Sequence, residues 1–141
     1  MATEYDVVVI GGGPGGYVAA IRAGQYGLKT ALIEKDALGG TCLNRGCIPT
    51  KAMLHTGEVL HEIRRADRLG IKIGEPEVDL DTLYRFKDKM VKKLVGGVKS
   101  LLKGSDVDVV KGLAAFADPH TLEVRDADGK STQRLNAKHI I

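Results

Sequence analysis

Cysteine is scarce in this chain: Cys42 and Cys47 are the only two in 141 residues. Zinc asks for about four ligands, usually brought as two spaced pairs. One pair is present, and the four histidines, His55, His61, His120 and His139, form no cluster with it; no metal site is expected. Long hydrophobic runs are absent too, since nothing approaches the roughly 20 apolar residues that span a bilayer. No membrane association follows. The opening "MATEYDVVVIGGG" carries Glu4 and Asp6 where a secretion signal needs basic residues, and its apolar run ends after four. Charge of one sign is lacking: the net charge is only +3 and bases are interleaved with acids, which gives no reason to expect nucleic acid as a partner. Repeats and low-complexity linkers are missing as well. Together these absences describe an intracellular, cytoplasmic globular chain with one core, in a compartment where a close cysteine pair points to redox or metal chemistry more than to a structural disulfide.

Glycine, in contrast, is abundant at 18 residues, and its placement matters. "YDVVVI" (Tyr5–Ile10) is apolar and β-branched without alternation, the pattern of a strand buried on both faces of a parallel sheet. "GGGPGG" follows, then "YVAAIRAGQYG", read as a helix with Pro14 at its first position and Gly27 just past its end. "KTALIEK" (Lys29–Lys35) is the next strand, completing a βαβ unit. Residues 41–69 have helical character, and "GIKIGEPEVD" is a looser segment. A second helix is expected from near Asp81, with Leu83, Phe86, Met90, Leu94, Val98 and Leu101 on one face and an interruption at Gly96 and Gly97. "VDVV" at 107–110 reads as a strand, "TLEVRDADGKSTQRL" as a hairpin turning at Asp128-Gly129, and "AKHII" as the beginning of another strand.

Gly11, Gly13 and Gly16 meet the spacing G-x-G-x-x-G, after a strand and at the opening of a helix. The first permits a tight turn, the second the approach of a pyrophosphate, and the third close packing of helix on strand. The helix end then presents N–H groups and its positive dipole to phosphate. Glu34 stands 18 residues after Gly16, at the end of the next strand, where an acid can take ribose hydroxyls. A dinucleotide is expected here; the fingerprint alone leaves NAD and FAD open.

The cysteines stand in "GGTCLNRGCIPTK", with four residues between them. As a staple so short a loop gains only about 2 kcal/mol in the chain-entropy picture. Two inert thiols remain the bland alternative. The reading that remains is a redox-active pair, at the start of a helix where a thiolate is stabilised, and a few residues beyond Glu34 at the carboxyl edge of the sheet. A dithiol has no obvious electron acceptor in NAD alone but has one in a flavin ring. The cysteines therefore favour FAD. Lys51, one helical turn after Cys47, can stand near such a ring, although a helix lysine is more often solvated. His55 and Arg45 receive no catalytic role.

"VVVIGGGPGGYVAAIRAGQYGLKTALIEK" and "LGGTCLNRGCIPTK" resemble the amino-terminal part of the flavin disulfide reductases, and "GYVAAIRAGQ" with "CLNRGCIPTK" is most similar to the lipoamide (dihydrolipoyl) dehydrogenase branch. Glutathione and mercuric reductases are close, but usually differ inside the cysteine loop. The resemblance implies an α/β, Rossmann-like FAD-binding domain over residues 1–141, with a parallel sheet and a β-meander insertion, cut short near its last strand, so that NAD-binding and dimerisation domains would be missing. It implies that the ADP part of FAD lies on Gly11, Gly13, Pro14, Gly15 and Gly16, with Glu34 and Lys35 at the ribose, and that Gly40, Thr41, Cys42 and Lys51 line the flavin. Cys47 would face the flavin as thiolate and Cys42 would exchange with substrate. Gly112 matches a further cofactor position, whereas Ala114 stands where glycine is usual.

The same resemblance implies a full-length homodimer that oxidises dihydrolipoyl groups of a lipoyl domain in a 2-oxoacid dehydrogenase complex core and reduces NAD+. Two alternatives stand beside it: a reductase of glutathione or mercuric ion, and a cofactor-binding module with no turnover of its own.

Overall fold

The computed structural model describes residues 3–141; Met1 and Ala2, part of the opening stretch read above for a secretion signal, lie outside it. The elements run β1 (Thr3–Ile10), α1 (Pro14–Gln25), β2 (Thr30–Glu34), α2 (Gly40–Asn44), α3 (Cys47–Arg64), a 3-10 turn (Ala66–Leu69), α4 (Leu80–Gly104), β3 (Val107–Lys111), β4 (Leu113–Asp118), β5 (Thr121–Arg125) and β6 (Ser131–Ile140). One six-stranded sheet has the order β3-β2-β1-β6-β5-β4. β3, β2, β1 and β6 pair in parallel; β4, β5 and β6 form an antiparallel meander. This is the expected α/β architecture with a meander inserted.

The apolar run of β1 is buried on both faces, as its lack of alternation predicts. Val7 and Val9 join β2's Leu32, α1's Ala20, Ile21 and Ala23, and α4's Val98 and Leu102 in one cluster. Tyr5 and Val8 join Ala31 and Ile33 with Leu122, Val124, Leu135 and Ala137 of the meander in the other. Complete burial of a side chain such as Leu32 or Leu102 contributes about 1.5–3 kcal/mol. The two edge strands β3 and β4 are separated in sequence by one residue, Gly112. A sheet whose opposite edges meet across one residue must curl back on itself, and the second cluster fills the space so enclosed. Gly112 sits at φ +152°, where a Cβ would press on Val124 and on the Arg125 carbonyl; only glycine fits the joint.

The helical character of residues 41–69 resolves into two helices and a 3-10 turn, broken at Arg45-Gly46, where Gly46 packs its Cα face against the Thr41 carbonyl. Two expectations are corrected. α4 is not interrupted at Gly96 and Gly97: Val95, Val98 and Leu102, before and after the pair, pack on the core and hold the helix through it, since a mid-helix glycine costs only about 1 kcal/mol. "AKHII" is not a separate strand but the second half of β6. Leu135 pairs with Leu122 of β5 on one side and with Thr3 of β1 on the other. The residue reading placed no strand at 113–118; β4 is a mostly exposed edge strand, so it lacks the alternation that would reveal it.

α3 and α4 form an antiparallel pair seated on the core only near the cysteines and the α4 carboxyl end, and Met53, Leu54, Tyr84, Phe86 and Met90 remain exposed. Asp79 caps α4: its carboxylate accepts from the Thr82 hydroxyl and from the Thr82 N–H at 3.1 Å, and these bonds, the hydroxyl first, hold its pKa below the usual range. Among the described residues no helix is long and apolar enough to cross a membrane.

Candidate functional site

The carboxyl ends of β1 and β2 meet at one corner. Gly11 leaves β1 with its N–H on the Ile33 carbonyl at 2.8 Å. Gly16 lies so near the Gly11 carbonyl that a methyl there would collide with it, which is the close helix–strand approach the fingerprint requires. A Cβ at Gly13 or Gly15 would meet nothing within 4 Å. The turn is therefore tight on its protein side and open on the other. Pro14 is the first residue of α1, and the first-turn amides of Gly15 and Gly16 have no partner inside the helix. Such a cradle fits a pyrophosphate.

Glu34 closes β2. Its Oε2 accepts from the Gly12 N–H at 2.6 Å and its Oε1 from the Asp36 N–H at 2.7 Å, so the carboxylate is held at the mouth of the turn. Its carbonyl accepts from Gly112 at 3.0 Å, which brings Gly112 to the same corner. Ala114 lies in β4 opposite Val124, packed against the enclosed cluster. Lys35 and Thr41 are exposed.

The cysteine segment is docked on the turn backbone to backbone. Gly39 donates to the Gly12 carbonyl at 2.8 Å, and a Cβ on Gly40 would stand 2.8 Å from the Gly13 Cα. Cys42 is the third residue of α2 and half-buried; Cys47 is the first residue of α3 and exposed. Both are free thiols whose side chains hydrogen bond each other. That bond, with burial behind it, pushes the Cys42 pKa up, while Lys51 pulls weakly the other way. The bond runs from Cys42 toward Cys47, across the break between α2 and α3.

Lys51 is exposed one turn along α3. Arg45 is tied to Asp36 at 2.7 Å on the surface, and His55 lies 3.7 Å from Glu58. Among the described residues no group of three or more histidines, cysteines or acids is arranged to hold a metal. Two positions that shape the corner were passed over by the sequence reading. Asn44, whose amide donates to the carbonyls of Leu38 and Gly40 at 3.0 and 2.9 Å, has no spacing signature. Gly12 had one, as a third glycine in the turn outside the fingerprint.

The layout is that of an α/β oxidoreductase unit built round a dithiol. The chain belongs to the pyridine nucleotide-disulphide oxidoreductase family, whose model matches residues 5–141. Curated relatives include dihydrolipoyl dehydrogenase 1, mitochondrial, of Arabidopsis thaliana, 51% identical over 98% of this chain and 27% of the relative. The mitochondrial dihydrolipoyl dehydrogenase of Schizosaccharomyces pombe is 48% identical over the same shares. The dihydrolipoyl dehydrogenase of Bacillus subtilis is 44% identical over 100% of this chain and 31% of the relative. The chain thus spans under a third of the length of these relatives.

Proposed function

We propose that residues 1–141 are the FAD-binding part of a dihydrolipoyl dehydrogenase. The observation that carries this reading is the hydrogen-bonded Cys42–Cys47 pair docked, through Gly39 and Gly40, on a glycine turn that fits a pyrophosphate. Gly11, Gly13, Pro14, Gly15 and Gly16 would hold the diphosphate, Glu34 the ribose, and Gly40, Thr41, Cys42 and Lys51 would border the flavin. Lys35, Gly112 and Ala114 are the outer members of the set. When bound, the flavin supplies a two-electron acceptor for the dithiol.

In the oxidised pair a dihydrolipoyl thiolate attacks the Cys42 sulfur and displaces Cys47 as thiolate. The second substrate thiolate then attacks the substrate sulfur of that mixed disulfide and expels Cys42, which takes up a proton. The substrate leaves as its disulfide with the protein pair reduced by the same two electrons. The raised Cys42 pKa supports this division: the expelled sulfur takes up a proton and donates a hydrogen bond toward the Cys47 sulfur. In the complete protein NAD+ would be the final acceptor at a separate domain, and the donor a lipoyl domain of a 2-oxoacid dehydrogenase complex core. The apolar face of α3 and α4 supports a homodimer, since large exposed apolar surfaces mark interfaces. The cytoplasm is the proposed compartment.

Cys42→Ser in the full-length protein tests the reading. Dihydrolipoamide-dependent NADH formation is expected to be lost while the yellow flavin absorbance stays. Unchanged turnover would remove the cysteine roles, and turnover of glutathione disulfide with NADPH in the unaltered protein would move it to the other branch.

A further inference from the structure

Cys42 and Cys47 meet across a break in the chain, yet they are anchored unequally. Cys47 opens α3, a helix of 18 residues with Ala52 buried. Cys42 sits in α2, which has five residues, far fewer than the roughly 12–15 at which a helix begins to hold itself together in water. The apolar side of the Cys42 segment is held by Leu38 and Leu43, both buried. Its polar side is held by Asn44, whose amide nitrogen donates to the Leu38 carbonyl at 3.0 Å and to the Gly40 carbonyl at 2.9 Å. Both neighbours are carbonyl oxygens, so the NH2 end of the amide, and not its oxygen, faces them. The two carbonyls flank Gly39, and Gly39 and Gly40 both have left-handed φ, +94° and +58°. The chain reverses there, and Asn44 clasps the reversal from the far end of α2. Among the described residues no other side chain hydrogen bonds the main chain between 38 and 44.

Taking the redox reading of the cysteine pair above as given, we infer that Asn44 is a positioning residue for that pair: its amide clamp holds α2 folded, with the Cys42 sulfur in reach of Cys47. Asn44 acts through the main chain that carries Cys42. Closing the disulfide joins an atom on α2 to one on α3, so its equilibrium depends on how often the reduced chain already brings the two sulfurs together. A clamped α2 keeps that frequency high. A frayed one lowers it and favours the dithiol. Hydrogen-bond clamping also has a chemical signature that packing lacks. An aspartate at position 44 has the shape of asparagine but, when ionised, only acceptors, and it would set carboxylate oxygens against two carbonyl oxygens. An alanine removes the donors without repulsion and leaves the carbonyls of a half-buried site to water. Clamping therefore ranks aspartate as the worse replacement, whereas mere filling of space ranks alanine as the worse.

The test uses the full-length protein, equilibrated with graded ratios of oxidised and reduced dithiothreitol. Oxidised dithiothreitol takes two electrons and two protons from the Cys42–Cys47 dithiol, leaving the protein disulfide and reduced dithiothreitol. The fraction of disulfide is read by peptide mass spectrometry. A second readout is the ratio of iodoacetamide alkylation at Cys42 to that at Cys47 in the reduced protein, and a third is the urea midpoint. Asn44→Asp is expected to shift the equilibrium about tenfold toward the dithiol, which is about 30 mV for a two-electron couple, and to raise the alkylation ratio several-fold. Asn44→Ala is expected to shift it about threefold, with a smaller rise in the ratio. Should Asn44→Asp fail to fold, Asn44→Ala carries the same paired expectation. Either readout unchanged in the folded variants, whatever the urea midpoint does, would overturn the clamp. So would a larger shift in Asn44→Ala than in Asn44→Asp. An unaltered protein that forms no disulfide at any ratio would instead overturn the redox reading, and the alkylation ratio would still report on the clamp.

Discussion

The corner that joins the glycine turn to the cysteines and the α3–α4 pair are built from similar residues, yet they are held by different means. At the corner, Gly16 and Gly40 each stand where one added carbon would strike the main chain of another segment, and position is fixed by backbone against backbone. Along α3 and α4, Gly57, Gly96 and Gly97 face open space, while position is fixed by a few side chains, Ala52, Val98 and Leu102, at the end near the sheet. The first arrangement tolerates almost no displacement and suits chemistry between groups that must stay in contact. The second leaves an apolar surface and suits contact with something else.

If the two regions differ in kind, the same substitution must have opposite signs in them. The largest effect is expected for Gly16→Ala, whose methyl would be driven into the Gly11 carbonyl. Neither backbone can yield without moving β1 or α1, so a loss of about 3 kcal/mol or outright failure to fold is expected, measured by urea unfolding. A stable, flavin-binding Gly16→Ala would show that the corner gives way and would dissolve the contrast. Gly112→Ala comes next, at about 2–3 kcal/mol, because it combines an unfavourable φ with a Cβ pressed on Val124 and the Arg125 carbonyl. Its loss should appear in urea midpoints while the Cys42 to Cys47 alkylation ratio remains as in the unaltered protein.

How much of this was readable from the residues follows the same division. The strand, turn, helix and strand of the corner were legible because each is specified locally: an unalternating β-branched run, glycines at fixed spacing, Pro14 to open a helix and Gly27 to close it. Glu34 was legible by its distance from the turn. The hydrogen bond between the cysteines was not, because Cys42 and Cys47 lie in different helices and meet only across the break at Gly46. β6 could not be seen as one strand, since its two halves pair with partners more than a hundred residues apart in sequence, Thr3 on one side and Leu122 on the other. α4 was misjudged at Gly96 and Gly97 because propensity is local and the packing that overrides it is not.

A third measure concerns the enclosed side of the sheet. Tyr5 of β1 reaches past β2 and donates to Asp108 of β3 at 2.8 Å, and burial, then this bond, pushes its pKa from 10.0 to about 12. The raised value means that the folded state favours the neutral phenol. Its contribution to stability is complete below the ordinary value of 10.0 and is lost as the pH climbs toward about 12. Urea midpoints should therefore fall across that alkaline window, and Tyr5→Phe should flatten the fall. An equally steep decline in Tyr5→Phe would assign it to other groups.

The smallest effect, and the one of opposite sign, is expected in α4. Gly96→Ala and Gly97→Ala add methyl groups to a helix that already runs unbroken through both positions, with no atom within 4 Å to oppose them. Alanine loses less chain entropy on entering a helix than glycine does, so the double variant should gain about 1 kcal/mol in urea unfolding. The outcome sharpens the contrast in a second way when the same pair is changed in the full-length protein. A gain in residues 1–141 alone but a loss in the longer chain would mean that another surface seats closely on this stretch of α4, where the missing side chains make room for it. A gain in both would confine that contact to the Tyr84, Phe86 and Met90 end of the helix.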